Sequence, residues 1–197
     1  MGRSNRPKER TKHTTSGIQP TFIIVGAPGT RKSQIAEDLL SLFPEQLLFP
    51  TDPVTNSGTF ALGSLADYRI ELKLALGRIL ETPTSDLPTL RIHSLIDNLA
   101  YITFALSRYQ MGTVSQKTAE RAVLIFTVIG NLLVDSFEAD HVFFLMGDFD
   151  PVDDYEQYEL QSILQMILDE YSIPYSLIES NEDATEKIAV TIGAYLG

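Results

Sequence analysis

The chain has 197 residues, 44% hydrophobic and 21% charged, proportions of an ordinary globular protein that exclude collagen-like, coiled-coil and wholly disordered chains. It has no cysteine, which removes disulfides, thiolate zinc sites and a cysteine nucleophile. Its formal charge of −11 argues against general nucleic-acid binding, because an acidic body repels a polyanion.

Residues 1–20 read as a flexible basic leader, with Arg3, Arg6, Lys8, Arg10 and Lys12 against Glu9 and no apolar periodicity. It is either a solvated tail or the one segment suited to touching nucleic acid or an acidic partner. It has no apolar core of a secretory signal. Nowhere does the chain run for about 18 apolar residues, so a cytoplasmic protein without membrane contact is expected, in a host cytoplasm if a bacteriophage encodes it.

Thr21-Phe22-Ile23-Ile24-Val25 has the look of a strand buried on both faces. After a Gly/Pro turn, Ile35, Ala36, Leu39, Leu40 and Phe43 recur at helical spacing. Leu47-Leu48-Phe49 is a second strand candidate, residues 51–60 a loop, and residues 61–81 a helix. Thr89 to Ile92 is a third strand candidate, followed by helices over about 95–109 and 115–138. His141 to Met146 reads as a strand, residues 147–154 as an acidic loop and about 155–171 as a helix. A short strand at Tyr175 to Ile178 and a helix from about Ala184 end the chain.

Strands alternating with helices predict an α/β fold, a three-layer sandwich around a mainly parallel sheet of about five strands. Residues 21–197 form one domain, with the helices between the third and fourth strands as a flap on the same core. The apolar helix from Ala122 to Ile129 suits either a buried core helix or a subunit contact in a homo-oligomer.

One motif carries chemistry. Gly26-Ala27-Pro28-Gly29-Thr30-Arg31-Lys32-Ser33 is close to the phosphate-binding loop G-x-x-x-x-G-K-[ST], between the strand and helix that such a loop requires. Its glycines let backbone N–H groups curl around a phosphate, and the helix N-terminus adds a favourable dipole. Lys32 would reach the β- and γ-phosphates of a nucleotide, and the Ser33 hydroxyl would hold Mg²⁺. ATP is the default nucleotide, since no guanine-reading Asn-Lys-x-Asp run is present. Arg31 stands where the pattern has its last glycine. Arginine keeps the loop intact if ordinary helical dihedrals suffice there, and its guanidinium can then join the phosphate; otherwise it crowds the site.

With this loop, the helix carrying Asp67-Tyr68-Arg69, the segment Ser94 to Tyr101 and the acidic stretch Asp148 to Tyr158, the chain resembles P-loop nucleoside and nucleotide kinases. The likeness leans to small AAA-type or nicotinamide-riboside-kinase-like ATP-binding proteins, many of them bacteriophage-encoded. The resemblance implies a P-loop fold and ATP-dependent phosphoryl transfer to a nucleoside, nucleotide or modified base. It places Asp52, in Asp52-Pro53-Val54, where deoxynucleoside kinases carry the general base; the alternative is an Asp-Pro turn. It makes Arg69 an acceptor-side contact, otherwise an exposed helix residue.

Besides Arg31, the chain departs from that family at two places. The Asp/Glu-Arg-Ser signature after the third strand is replaced by Ile92-His93-Ser94. His93 is then either a substitute donor or a structural histidine, and Asp97 either helps to hold Mg²⁺ or caps its helix. The lid region, residues 147–156, has no basic residue, so cationic help has to come from Arg31, Arg69, Arg78, Arg91, Arg108 or Arg121, or from a partner. These departures keep open a nucleotide-binding module, or an ATPase in a larger complex, as the alternative to a kinase.

Overall fold

A computed structural model describes residues 19–49, 86–92, 94–110, 115–136 and 139–197. In chain order its elements are β1 (Thr21–Gly26), α1 (Lys32–Leu42), β2 (Thr89–Arg91), α2 (Leu95–Gln110), α3 (Gln116–Ser136), β3 (His141–Met146), α4 (Tyr155–Glu170), β4 (Tyr175–Glu179) and α5 (Ala184–Leu196). The expected helix over 61–81 lies outside the described residues, as do residues 1–18 of the leader.

The sheet is parallel throughout, in the order β2-β1-β3-β4. The candidate strand at Leu47-Leu48-Phe49 is reduced to a single parallel bridge from Leu48 to Thr89. The Leu48 amide donates to Pro88 O at 2.7 Å and the Leu90 amide to Leu48 O at 2.8 Å. The segment thus touches the sheet edge beside β2 without running along it, and among the described residues the sheet has four strands rather than about five.

Period-two alternation divides the strands between two cores. Phe22, Ile24, Phe143 and Leu145 face α1 and α5, through Ile35, Leu39, Ile188 and Ile192. Ile23, Val25, Val142 and Phe144 face α2, α3 and α4, through Ile96, Leu99, Ile125, Ile129 and Leu164. The result is the three-layer sandwich expected of a parallel sheet, whose strands must be covered on both faces. The two helices between β2 and β3 are part of this second layer. In α3, Ala122, Ile125 and Ile129 are buried while Val123, Leu124 and Val128 are exposed, so the apolar run is half core and half surface. Among the described residues no helix is long and apolar enough to cross a membrane.

Parallel pairing brings the C-terminal ends of the strands to one edge. Gly26 lies opposite Leu145, and Met146 opposite Glu179. At this edge, where open α/β sheets bind ligands, stand the loop into α1, the turn into α2, the loop into α4 and Ser180.

Candidate functional site

The loop at 26–33 leaves β1 at a buried glycine. A Cβ on Gly26 would lie 2.7 Å from Thr30 Oγ1 and 2.9 Å from Leu145 O, so no larger residue fits. Buried Thr30 closes the loop on itself: its hydroxyl donates to Ala27 O at 2.7 Å. From β4's end, the Ser180 hydroxyl donates to Thr30 O at 2.8 Å, while the Ser180 amide donates to Met146 O at 2.8 Å. Three parallel strand ends thereby hold one loop. Gly29 takes a left-handed φ of 91°, which glycine adopts without steric cost.

Arg31 departs from the simplest expectation. It has φ 58° and ψ 21°, the left-handed region, at the N-cap of α1. Ordinary helical dihedrals are therefore not what the fold uses here; the missing glycine is replaced by an arginine held in a conformation that costs an L-residue about 1–2 kcal/mol. Its carbonyl still accepts the first helical bond, from the Ile35 amide at 3.0 Å.

Lys32, the first residue of α1, folds back over the loop. Its ammonium donates to Gly26 O, with Ala27 O at 3.4 Å. Burial lowers its proton affinity below that of an ordinary lysine, and the carboxylate charge of Asp97 acts in the opposite direction. The site thus joins a desolvated cation on α1 to a buried acid on α2.

Asp97 has two roles open to it, and the structure shows the structural one directly. Its Oδ2 accepts from the Ser94 amide at 2.8 Å and from the Ser94 hydroxyl at 2.9 Å, while Ser94 Oγ accepts from the Ile96 amide at 3.2 Å. This is a capping box at the start of α2. Both of these bonds from Ser94 fall on Oδ2, and the residue is only 4% exposed. Ser33 is exposed at the second position of α1. Hydroxyl and carboxylate oxygens are hard donors of the kind Mg²⁺ takes, and Mg²⁺ needs few of them beside water and phosphate.

The loop after β3 closes over the same place. Gly147 is fixed by Gln161, which accepts from its amide at 2.7 Å. The ring of Phe149 lies against the phosphate loop: a Cβ on Gly29 would stand 3.4 Å from Phe149 Cε1. Asp150 Oδ1 accepts from the amides of Asp153 and Val152, at 2.9 and 2.7 Å, and these bonds hold its carboxyl below the usual range. Asp150 is thus a turn former before α4.

The structure brings together Gly26, Ala27, Pro28, Gly29, Thr30, Arg31, Lys32, Ser33 and Asp97. Asp52, Arg69 and His93 lie outside the described residues, as do Asp67 and Tyr68. Sequence reasoning missed Ser180, Gln161 and Phe149. Ser180 was the most accessible, as a polar residue directly after a predicted strand, on the ligand-binding edge; Phe149 and Gln161 have no local signature. A half-open cavity of about 300 Å³, lined by Leu133, Asp140, Val142, Tyr171 and Ile173 among others, lies at the N-terminal ends of β3 and β4, the opposite edge of the sheet.

No protein-family model and no curated protein matches the chain at the sequence level. Solved structures do match in fold. A NadR protein in complex with NR superposes with a TM-score of 0.64 at 11% identity, over 91% of this chain and 51% of that one; the chain spans about half the length of that protein. A deoxyadenosine kinase from M. mycoides with bound dATP gives 0.58 at 12% identity, over 89% and 100%. Thymidylate kinase from Candida albicans gives 0.55 at 17%, over 89% and 90%. The chain shares its fold with these structures, a deoxyadenosine kinase and a thymidylate kinase among them.

Proposed function

We propose that the protein binds Mg·ATP at the loop 26–33 and transfers its γ-phosphoryl group to a hydroxyl of a nucleoside or nucleotide. The observation that carries this reading is Lys32. A lysine ammonium is withdrawn from water onto the carbonyls of Gly26 and Ala27 and faces the charge of Asp97. Desolvating a cation is unfavourable, and a phosphate in the loop offsets that cost by taking the place of the two carbonyls.

In this reading the amides at the N-terminus of α1 bind the phosphates, with the helix dipole behind them. Lys32 neutralises charge at the β- and γ-phosphates. Ser33 and Asp97 Oδ1 would hold Mg²⁺, which when bound neutralises phosphate oxygens as charge develops. Asp52 would take the proton of the acceptor hydroxyl as its oxygen bonds to the γ-phosphorus and the bond to the departing ADP breaks. Arg69 would contact the acceptor. The roles of Asp52 and Arg69 rest on the sequence resemblance. Bound nucleotides in the neighbouring kinases support ATP as the donor. The AAA-type and bacteriophage readings draw no support from these neighbours.

A second reading, a nucleotide-binding module without transfer, is favoured by one observation: the loop that reaches the phosphate site through Phe149 carries Asp148, Asp150, Asp153 and Asp154 and no base. The experiment is a thermal-shift titration of wild type and Lys32→Ala with Mg·ATP, Mg·GTP and a nucleoside panel. Ligand at 100 Kd stabilises by about 2.7 kcal/mol. A shift with Mg·ATP that Lys32→Ala abolishes supports the site, and a further shift with a nucleoside names the acceptor. Binding without turnover on any acceptor selects the module; no shift with any nucleotide removes both readings.

A further inference from the structure

We propose that Arg31 grips the terminal phosphate of the nucleotide, making this loop selective for triphosphates over diphosphates. The inference rests on the nucleotide-binding reading above and adds a residue-level role to it.

Three features of Arg31 are unfavourable in isolation and favourable beside a polyanion. Its left-handed backbone, φ 58°, strains any residue but glycine. It forms the N-cap of α1 with Lys32 next to it, so two cations sit at the positive end of a helix whose first turn has no acid. Its side chain is exposed and makes no hydrogen bond or ion pair among the described residues. An anion lying across the N-terminus of α1 would satisfy the helix end and the guanidinium together.

The distribution of charge gives this position its weight. Lys32 lies under the loop, bonded to Gly26 O and facing Asp97. C-terminal to Arg121 the chain has one basic residue, Lys187, exposed in the first turn of α5. The loop that folds over Gly29 brings acids alone. A triphosphate is more highly charged than a diphosphate, and β3, β4 and α4 carry no lysine or arginine to meet the extra group. Arginine suits that place better than lysine because its planar fork can engage two phosphate oxygens at once.

The test compares affinities for Mg·ATP and Mg·ADP, by calorimetry on the full chain, in wild type, Arg31→Gly, Arg31→Lys and Lys32→Ala. Arg31→Gly restores the residue that the backbone favours, so an intact fold is checked by its melting at or above the wild-type temperature. The expected result is a loss of ATP affinity of roughly ten- to a hundredfold with little change for ADP. Arg31→Lys recovers part of it, and Lys32→Ala weakens both nucleotides. An unchanged ratio of ATP to ADP affinity in Arg31→Gly overturns the inference. So does tighter ATP binding, the outcome if the arginine crowds the loop. A wild type that binds neither nucleotide overturns the reading of the site and this inference with it, and is told apart from the first two outcomes by the wild-type curve alone.

Discussion

The carboxylate of Asp97, in the first turn of α2, acts on the ammonium of Lys32, in the first turn of α1, raising a proton affinity that burial lowers. The two residues belong to different helices on opposite faces of the sheet and come within electrostatic range because both helices start at the C-terminal edge of adjacent strands, β1 and β2. The same carboxylate closes the cap of its own helix through Ser94.

That double role can be separated by mutation. Ser94→Ala removes a cap and should lower stability by about 1 kcal/mol while leaving Mg·ATP affinity close to wild type. Asp97→Ala should show a similar or larger loss of stability together with weaker, less Mg²⁺-dependent nucleotide binding. Equal effects of the two substitutions on binding would reduce Asp97 to a helix cap. Chemical denaturation and nucleotide titration of both variants provide the comparison.

Arg31→Gly should stabilise the protein. It relieves the left-handed strain at φ 58°, about 1–2 kcal/mol, and removes a cation from the helix N-terminus, a further few tenths. For a chain of this size each kcal/mol raises Tm by about 2–4 °C. Arg31→Ala isolates the charge, because alanine is strained at the same φ, and its Tm should fall between the two. Thermal melts without nucleotide decide it; a less stable Arg31→Gly would mean that the arginine holds the loop together.

Gly26→Ala should be damaging at a position far smaller than its effect. The added methyl would stand 2.7 Å from Thr30 Oγ1 and 2.9 Å from the backbone oxygen of Leu145, and the latter cannot swing away. Overpacking of this kind costs about 1–3 kcal/mol, and displacing Thr30 also loosens its bond to Ala27 O. Loss of both stability and nucleotide binding is expected, read by urea denaturation and by titration with Mg·ATP.

His141 supplies a pH dependence remote from the site. Burial lowers its proton affinity below the ordinary value of 6.5, so the folded chain favours the neutral ring, which packs against Phe143 and Tyr195 and bonds Ser176 Oγ at 2.9 Å. The unfolded chain therefore binds the proton more readily, and this contribution to stability is complete above pH 6.5 and lost as pH falls through the folded value. Melting temperatures between pH 7.5 and pH 5 should decline more steeply in wild type than in His141→Gln. Parallel curves would exclude His141 as a source of acid sensitivity.

Much of the fold was legible from short-range pattern. β1 and β3 are apolar runs buried on both faces, α4 begins at Tyr155 as expected, and α1 begins three residues before Ile35, the first of its apolar spacing. Leu47-Leu48-Phe49 has the same apolar character and makes only the bridge at Leu48, because an edge segment becomes a strand by finding a partner in register along its length, which its own residues do not encode. The phosphate loop was equally legible, since its amides, lysine and serine are consecutive.

The sequence by itself determined the alternation of strand and helix, the order of the phosphate loop, and the acidity of everything beyond the leader, all of which follow from residue type and spacing. Tertiary structure alone decided the sign of φ at Arg31, the approach of Phe149 to Gly29, the clasp of Ser180 on Thr30 and the placing of Asp97 within electrostatic range of Lys32. Each of these depends on where a distant segment arrives. The strand ends meet because the sheet pairs β1 with β2 and β3, and the backbone at Arg31 is set by the geometry needed to turn from a buried strand into a helix packed on that sheet, whichever side chain happens to stand there.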